Sequence, residues 1–256
     1  MQIHAVPAFQ DNYLWVIAED DRAAVVDPGD AVPVQAFLER HGLRLEAILA
    51  THHHGDHVGG LAALAQRWSC PVFGPAGERI AGLTRKLREG ERITVPGLGI
   101  ELEVLDVPGH TAGHIAYVHR GDDPVVFCGD TLFACGCGRL FEGTPAQMVS
   151  SLAKLAALPP QTRAFCAHEY TMSNIRFAEA VEPGNAKLAA RKAREAARRA
   201  RNEPTVPMRI ADELETNPFL RCTEPEVVAS AERHAGRALA VPVEVFAEIR
   251  QWKNNF

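Results

Sequence analysis

The sequence lacks the features that take a chain to or through a membrane. Its opening residues, MQIHAVPAFQDNYLWVI, have no basic stretch followed by an apolar run and a small-residue cleavage site, so no secretory signal is expected. No apolar run approaches the roughly 20 residues that span a bilayer, and no membrane partner is expected. Positive charge is also in short supply. With 27 Lys and Arg against 32 Asp and Glu, the net charge is −5, which argues against a nucleic-acid partner. The six cysteines (70, 128, 135, 137, 166 and 222) are scattered or too closely paired for a disulfide framework. They are expected to be reduced thiols in a cytoplasmic protein. Internal repeats and low-complexity linkers are absent. What remains is 256 residues, 46% of them apolar, enough for one large domain or one domain with a small companion.

Two halves differ in texture. Up to about residue 170, short strand-like runs alternate with turns and helices. WVIAED, AAVVDPG, LEAILA, ELEVLDV, AYVHR, PVVFCG and RAFCA read as strands. VPVQAFLERHG reads as a helix stopped by Gly42, and LAALAQRW as another. TPAQMVSSLAKLAAL is a helix that Thr144 can cap, with Pro145 suited to its first position. Beyond residue 170 the strand signal nearly vanishes, and residues 185–202, 223–236 and 241–255 read as helices. The expected class is α/β, an α/β domain over 1–170 followed by a smaller all-helical domain over 171–256. The basic run at 187–201 is expected to be one exposed helical face, because Glu195 interrupts it.

Residues 49–60, LATHHHGDHVGG, place four histidines and an aspartate within six positions. A core would have to satisfy each of these polar groups, and a plain surface needs none of them. His52, His54, Asp56 and His57 follow the strand-like LEAILA. His110 follows ELEVLDV, Asp130 follows PVVFC, and His168 follows RAFC. If those strands lie side by side, all seven groups meet at one rim. Seven ligands are too many for one tetrahedral zinc. They suit two divalent ions that share a carboxylate and a water, and imidazole with carboxylate suits zinc, iron or manganese. His53 is expected to point away. His114 and Asp27 are candidates to support the ligands from behind, and Cys128, Cys135 and Cys137 are expected to be buried packing residues.

THHHGDH matches the H-x-H-x-D-H motif of the metallo-β-lactamase superfamily, and His110, Asp130 and His168 follow in the order of its later ligands. FQDNYLW, THHHGDHVGG, PGHTAGH, CGDTLFACGCGRLFEGT, CAHEYTMSN and RQWKNNF together resemble the glyoxalase II, or hydroxyacylglutathione hydrolase, family over nearly the whole chain. The resemblance implies an αββα sandwich followed by a helical domain that helps hold glutathione. It implies that His52, His54 and His110 hold one ion, that Asp56, His57 and His168 hold the other, and that Asp130 bridges them. It places Tyr170, Arg250 and Lys253 at glutathione-contacting positions. Arg139 and Phe141 stand where some members carry lysine and tyrosine, so one substrate hydroxyl contact is missing.

The implied reaction is hydrolysis of S-D-lactoylglutathione, and of other 2-hydroxyacylglutathiones, to D-lactate and glutathione by a metal-bridging hydroxide. Asp56 or Asp130 would orient that nucleophile, in a monomer carrying two ions, zinc in the first instance. Arg139, Arg250 and Lys253 would meet the carboxylates of glutathione. Rival readings keep the fold: a persulfide dioxygenase with one iron, a β-lactamase, or a degenerate member that binds without catalysis. The complete ligand set opposes the last.

Overall fold

The computed structural model describes residues 1–256. The chain forms two compact units. One comprises Met1–Asp106, Thr111–Gly129 and Phe165–His168, and the other Val107–His110, Asp130–Ala164 and Glu169–Phe256.

The first unit is built on two sheets. Strands β1 (Gln2–Ala8), β2 (Asn12–Glu19), β3 (Arg22–Val26), β4 (Arg44–Leu49), β5 (Val72–Pro75) and β6 (Arg85–Leu87) lie in sequence order. They are antiparallel from β1 to β3 and parallel from β3 to β6. β2 is buried at every position but its last, because both faces of its sheet are covered, and so it shows no in–out alternation. On one face lie α1 (Ala31–His41) and α3 (Leu61–Trp68), with the single turn α2 (Gly55–Val58) between them in sequence. α1 begins where the Asp30 side chain accepts from the Val32 N–H, and it ends at Gly42 with φ 65°, the left-handed stop a glycine allows. Val34 and Leu38 of α1 and Leu61 and Leu64 of α3 share one core with Val16, Val25 and Leu45. Each such leucine contributes roughly 1.5–3 kcal/mol on burial, so tertiary packing rather than helix propensity holds the short α3 in place.

The second sheet runs antiparallel through β7 (Arg92–Thr94), β8 (Glu101–Asp106), β9 (Ile115–His119) and β10 (Val125–Gly129). Phe165 and Cys166, the end of a strand that starts at Arg163, lie beside β10. Trp15 of β2 meets Phe165 edge-on at 4.9 Å and donates from Nε1 to the Cys166 carbonyl at 2.9 Å. The buried Tyr117 hydroxyl donates to the Ala50 carbonyl at 2.9 Å, so the layers are joined by directed bonds at the strand ends as well as by apolar contact.

The second unit contains the short hairpin β11 (Leu132–Phe133) and β12 (Gly136–Cys137) and the pairing of β13 (Arg163–Cys166), at Arg163 and Ala164, with β14 (Met208–Arg209). Its helices are α4 (Pro145–Ala156), α5 (Thr171–Val181), α6 (Ala186–Ala200), α7 (Ile210–Thr216), α8 (Pro225–Ala235) and α9 (Pro242–Asn254). α4 opens as expected: Thr144 and Gln147 form a reciprocal capping box, with Pro145 at the first position. β14 departs from the all-helical expectation, since two residues carry no periodicity to read. The basic run also needs correction. Arg191 and Glu195 of α6 are buried, and Arg191 pairs with the buried Glu213 at 2.5 Å. Its neighbours Lys187, Lys192, Arg194 and Arg198 each meet a carboxylate. The run is therefore a set of ion pairs around one interior arginine, not a bare cationic face. No helix is long and apolar enough to cross a membrane.

Candidate metal centre

In the first unit the histidine-rich loop starts where β4 ends and turns at once into α2. Its path depends on close backbone approach. A Cβ on Gly29 would lie 1.8 Å from the Asp56 carbonyl oxygen, and one on Gly59 would lie 2.5 Å from the Gly29 carbonyl oxygen. Only glycine fits at either contact. Just before Gly29 comes Asp27, with φ 51°. Its carboxylate accepts from the Thr51 N–H and hydroxyl, both at 2.7 Å, and from His57 Nδ1 at 3.0 Å.

These contacts decide which nitrogen of each ring is basic. His57 donates Nδ1–H to Asp27, which leaves Nε2 as the ligand atom, 3.5 Å from Asp56 Oδ2. His168 donates Nδ1–H to Asp11 at 2.7 Å and turns Nε2 to within 3.4 Å of the same Asp56 oxygen. Thr51 gives its proton to Asp27, so its oxygen accepts from His52 Nδ1 at 3.1 Å. His52 Nε2 then lies 3.1 Å from His54 Nδ1. Asn12 donates to Asp56 Oδ2 at 3.0 Å and fixes that carboxylate. Asp56, His57 and His168 form one potential ligand group whose donor atoms lie within 4.8 Å of one another.

In the second unit His110 is oriented in the same way. Its Nδ1 donates to the Arg139 carbonyl at 2.9 Å, and its Nε2 lies 3.4 Å from Asp130 Oδ2. Neighbouring ligands of a tetrahedral zinc, each about 2.05 Å from the ion, stand about 3.3 Å apart. Separations of 3.1 Å between the His52 and His54 nitrogens and of 3.4–3.5 Å between imidazole nitrogens and carboxylate oxygens fit that spacing, and rings with an acceptor on the far nitrogen are the usual form of metal-binding histidine. The residues thus suit divalent metal.

The supporting residues fall close to expectation. His53 turns to Glu78 at 2.7 Å. His114 is fully buried and stacks on His52 at 4.6 Å and 19°, and Asp27 backs His57. Cys128, Cys135 and Cys137 are buried. Burial pushes the Cys135 thiol up to about 12 and raises Cys137 as well, so neither offers a thiolate. Sequence reasoning assigned no role to Asp11, Asn12, Thr51 or Glu78. Glu78 is buried and holds the Thr111 hydroxyl, the Gly113 N–H and His53. Its position 25 residues from His53 carries no local signal.

Of the substrate-side residues, all in the second unit, Phe141 is exposed and lies edge-on to His110 at 5.3 Å. Tyr170 stands at the start of α5 against Phe133, and Arg139 is exposed. Arg250 is only 5% exposed and donates to the Cys137 carbonyl at 2.7 Å, not the solvated charge that a terminal helix suggests. Lys253, one turn on, donates to the Ser173 carbonyl at 3.2 Å. Desolvation first, then repulsion from Arg250, Arg176 and Arg139, brings its amine down to about 8.

The metallo-β-lactamase superfamily model matches residues 9–168, and the model of the hydroxyacylglutathione hydrolase C-terminus matches residues 169–256. A hydroxyacylglutathione hydrolase of Cupriavidus taiwanensis is 58% identical over 265 residues, an alignment covering 100% of this chain and 99% of that one. Among solved structures, ETHE1 from Myxococcus xanthus superposes with a TM-score of 0.66 at 23% identity, covering 99% of this chain and 98% of that one. TTHA1623 in a di-iron-bound form gives a TM-score of 0.54 at 30% identity, covering 66% and 92%.

Proposed function

This chain belongs to the hydroxyacylglutathione hydrolase family of the metallo-β-lactamase superfamily, and we propose on that footing that it hydrolyses S-D-lactoylglutathione to D-lactate and glutathione. Residues 1–170 serve as the metal-binding catalytic part and 171–256 as the substrate-binding part. His52, His54 and His110 would hold one divalent ion, Asp56, His57 and His168 would hold a second, and Asp130 would serve both. Zinc suits this nitrogen-rich set, and iron or manganese can take its place. The protein acts as a cytoplasmic monomer.

The observation that carries the reading is the orientation of His52, His57, His168 and His110, each with an acceptor at Nδ1 and its Nε2 turned inward. When bound, the ions supply an acidified water and a polarised thioester carbonyl. The residues do the rest. Asp56, steadied by Asn12, and Asp130 orient the attacking water, whose proton passes in the end to the departing sulfur. The C–O bond forms as the carbonyl electrons move onto oxygen, the C–S bond breaks as the carbonyl re-forms, and glutathione leaves as a thiolate that takes up a proton. Arg139, Tyr170, Arg250 and Lys253 hold the glutathione moiety, whose carboxylates pair with the cations, and Phe141 offers an apolar wall without a hydroxyl.

The test is steady-state hydrolysis of S-D-lactoylglutathione beside other glutathione thioesters, before and after chelation. The expected result is turnover without oxygen consumption, lost on chelation and restored by zinc. Metal-replete protein that leaves every glutathione thioester intact would overturn the assignment.

A further inference from the structure

The hairpin of β11 and β12 joins Asp130 to Arg139, whose carbonyl oxygen orients His110. Left to itself it has little to hold its shape. Two residue pairs form its ladder, and Cys135 at its turn has φ 54°, a region costly for a residue with a side chain. Its backbone is met by side chains from several helices instead. The Asn217 amide nitrogen donates to the Phe133 and Gly136 carbonyls, at 3.2 and 2.9 Å, and to Glu213 at 2.9 Å. Asn174 of α5 donates to the Ala134 carbonyl at 3.0 Å, and Arg250 of α9 donates to that of Cys137. The Cys135 N–H donates to Glu213 of α7 at 2.8 Å. Glu213 is held from behind by Arg191 of α6, which also donates to the Thr216 hydroxyl at 2.6 Å. Glu213 and Asn217 are wholly buried, and Arg191 nearly so.

A buried ion pair seldom improves stability over an apolar pair of equal volume, and its best-attested use is to specify one geometry. Here the geometry specified is that of the segment between Asp130 and Arg139. We propose that Asn217, Glu213, Arg191 and Asn174 are positioning residues of the metal centre. They hold the hairpin so that Asp130 at its start and the Arg139 carbonyl at its end stay in place. The helical part of the chain is therefore needed for metal affinity as well as for substrate. This inference rests on the reading of Asp130 and His110 as metal ligands given above.

Asn217→Leu keeps the branched shape and the Arg191–Glu213 pair but removes both carbonyl contacts, together with the Asn217 bond to Glu213 and the cap on the Phe219 N–H. Val227→Ala, in the buried face of α8, serves as a control that lowers stability without touching the hairpin. Both are measured in the full chain by thermal melting and by competition for zinc with a chromophoric chelator. Loss of a group that supports a ligand from behind weakens metal binding by roughly ten- to a hundredfold. That is the result expected for Asn217→Leu, with native zinc affinity in Val227→Ala. Native affinity in Asn217→Leu, or an equal loss in the control at matched melting temperature, would overturn the inference. If Asn217→Leu does not fold, Asn174→Ala removes the Ala134 contact alone. A smaller loss of zinc affinity is then expected, and native affinity again overturns the proposal. Wild-type protein that binds neither zinc, iron nor manganese would overturn the hydrolase reading, and this inference with it.

Discussion

At the scale of single residues, the candidate centre is organised by what sits behind the ligands. Asp27 occupies His57 Nδ1 and, through the Thr51 hydroxyl, sets His52. Asp11 does the same for His168 and the Arg139 carbonyl for His110. Each ring therefore presents one defined nitrogen, its tautomer set by the partner on the other. Asp130 differs in kind, because it is assigned to both ions. Asp130→Ala is expected to lose at least one ion per chain and several orders of magnitude in kcat, read by elemental analysis beside steady-state kinetics. His53→Ala is its partner experiment. That ring faces Glu78 at 2.7 Å, so full metal content and near-native kcat are expected. Equal metal loss in the two variants would show that the motif's spacing had been misread.

At the scale of elements, α9 carries two cations with different surroundings. Arg250 is buried against the Cys137 carbonyl, so truncating it also strands a backbone acceptor, at roughly 1–3 kcal/mol of stability. Lys253 is the cleaner probe. Desolvation and the nearby Arg250, Arg176 and Arg139 hold its amine down to about 8, opposed only weakly by Cys137. It is a cation below that pH and neutral above it. A substrate carboxylate paired with it is bound most tightly on the acid side, so KM for the glutathione thioester should rise through pH 8–9 while kcat follows its own profile. In Lys253→Ala, KM should start high and lose this step, and a step of wild-type size would detach α9 from the substrate. Elements also differ in how far they were legible. α4 could be read because Thr144 and Pro145 act within one turn, and the candidate ligand histidines stood out because they cluster or follow strands. Glu78 and Asp11 act across 25 and 157 residues, so residue type alone assigned them nothing. Arg191 looked like one more solvated cation because the carboxylate that buries it, Glu213, lies 22 residues away.

At the scale of the whole molecule, the candidate ligands come from distant parts of the chain. Asp56 and His168 belong to one group although more than a hundred residues separate them, and a loop of that length is entropically costly to close. A divalent ion binds the folded ligand set and not the open chain, so its binding free energy adds to folding stability. At a free metal concentration a hundred times Kd the gain is about 2.7 kcal/mol per site. For a chain of this size, 1 kcal/mol moves the melting temperature by about 2–4 °C. Chelation should therefore lower the melting temperature by about 5–10 °C for each such site emptied, in parallel with loss of thioester hydrolysis, and zinc should restore both. Titrating the stripped protein with zinc while following melting temperature and activity tests the stoichiometry as well. Two equivalents to reach the plateau are expected of the dinuclear centre. A plateau at one equivalent, with full turnover, would retain the hydrolase and reduce its centre to a single ion.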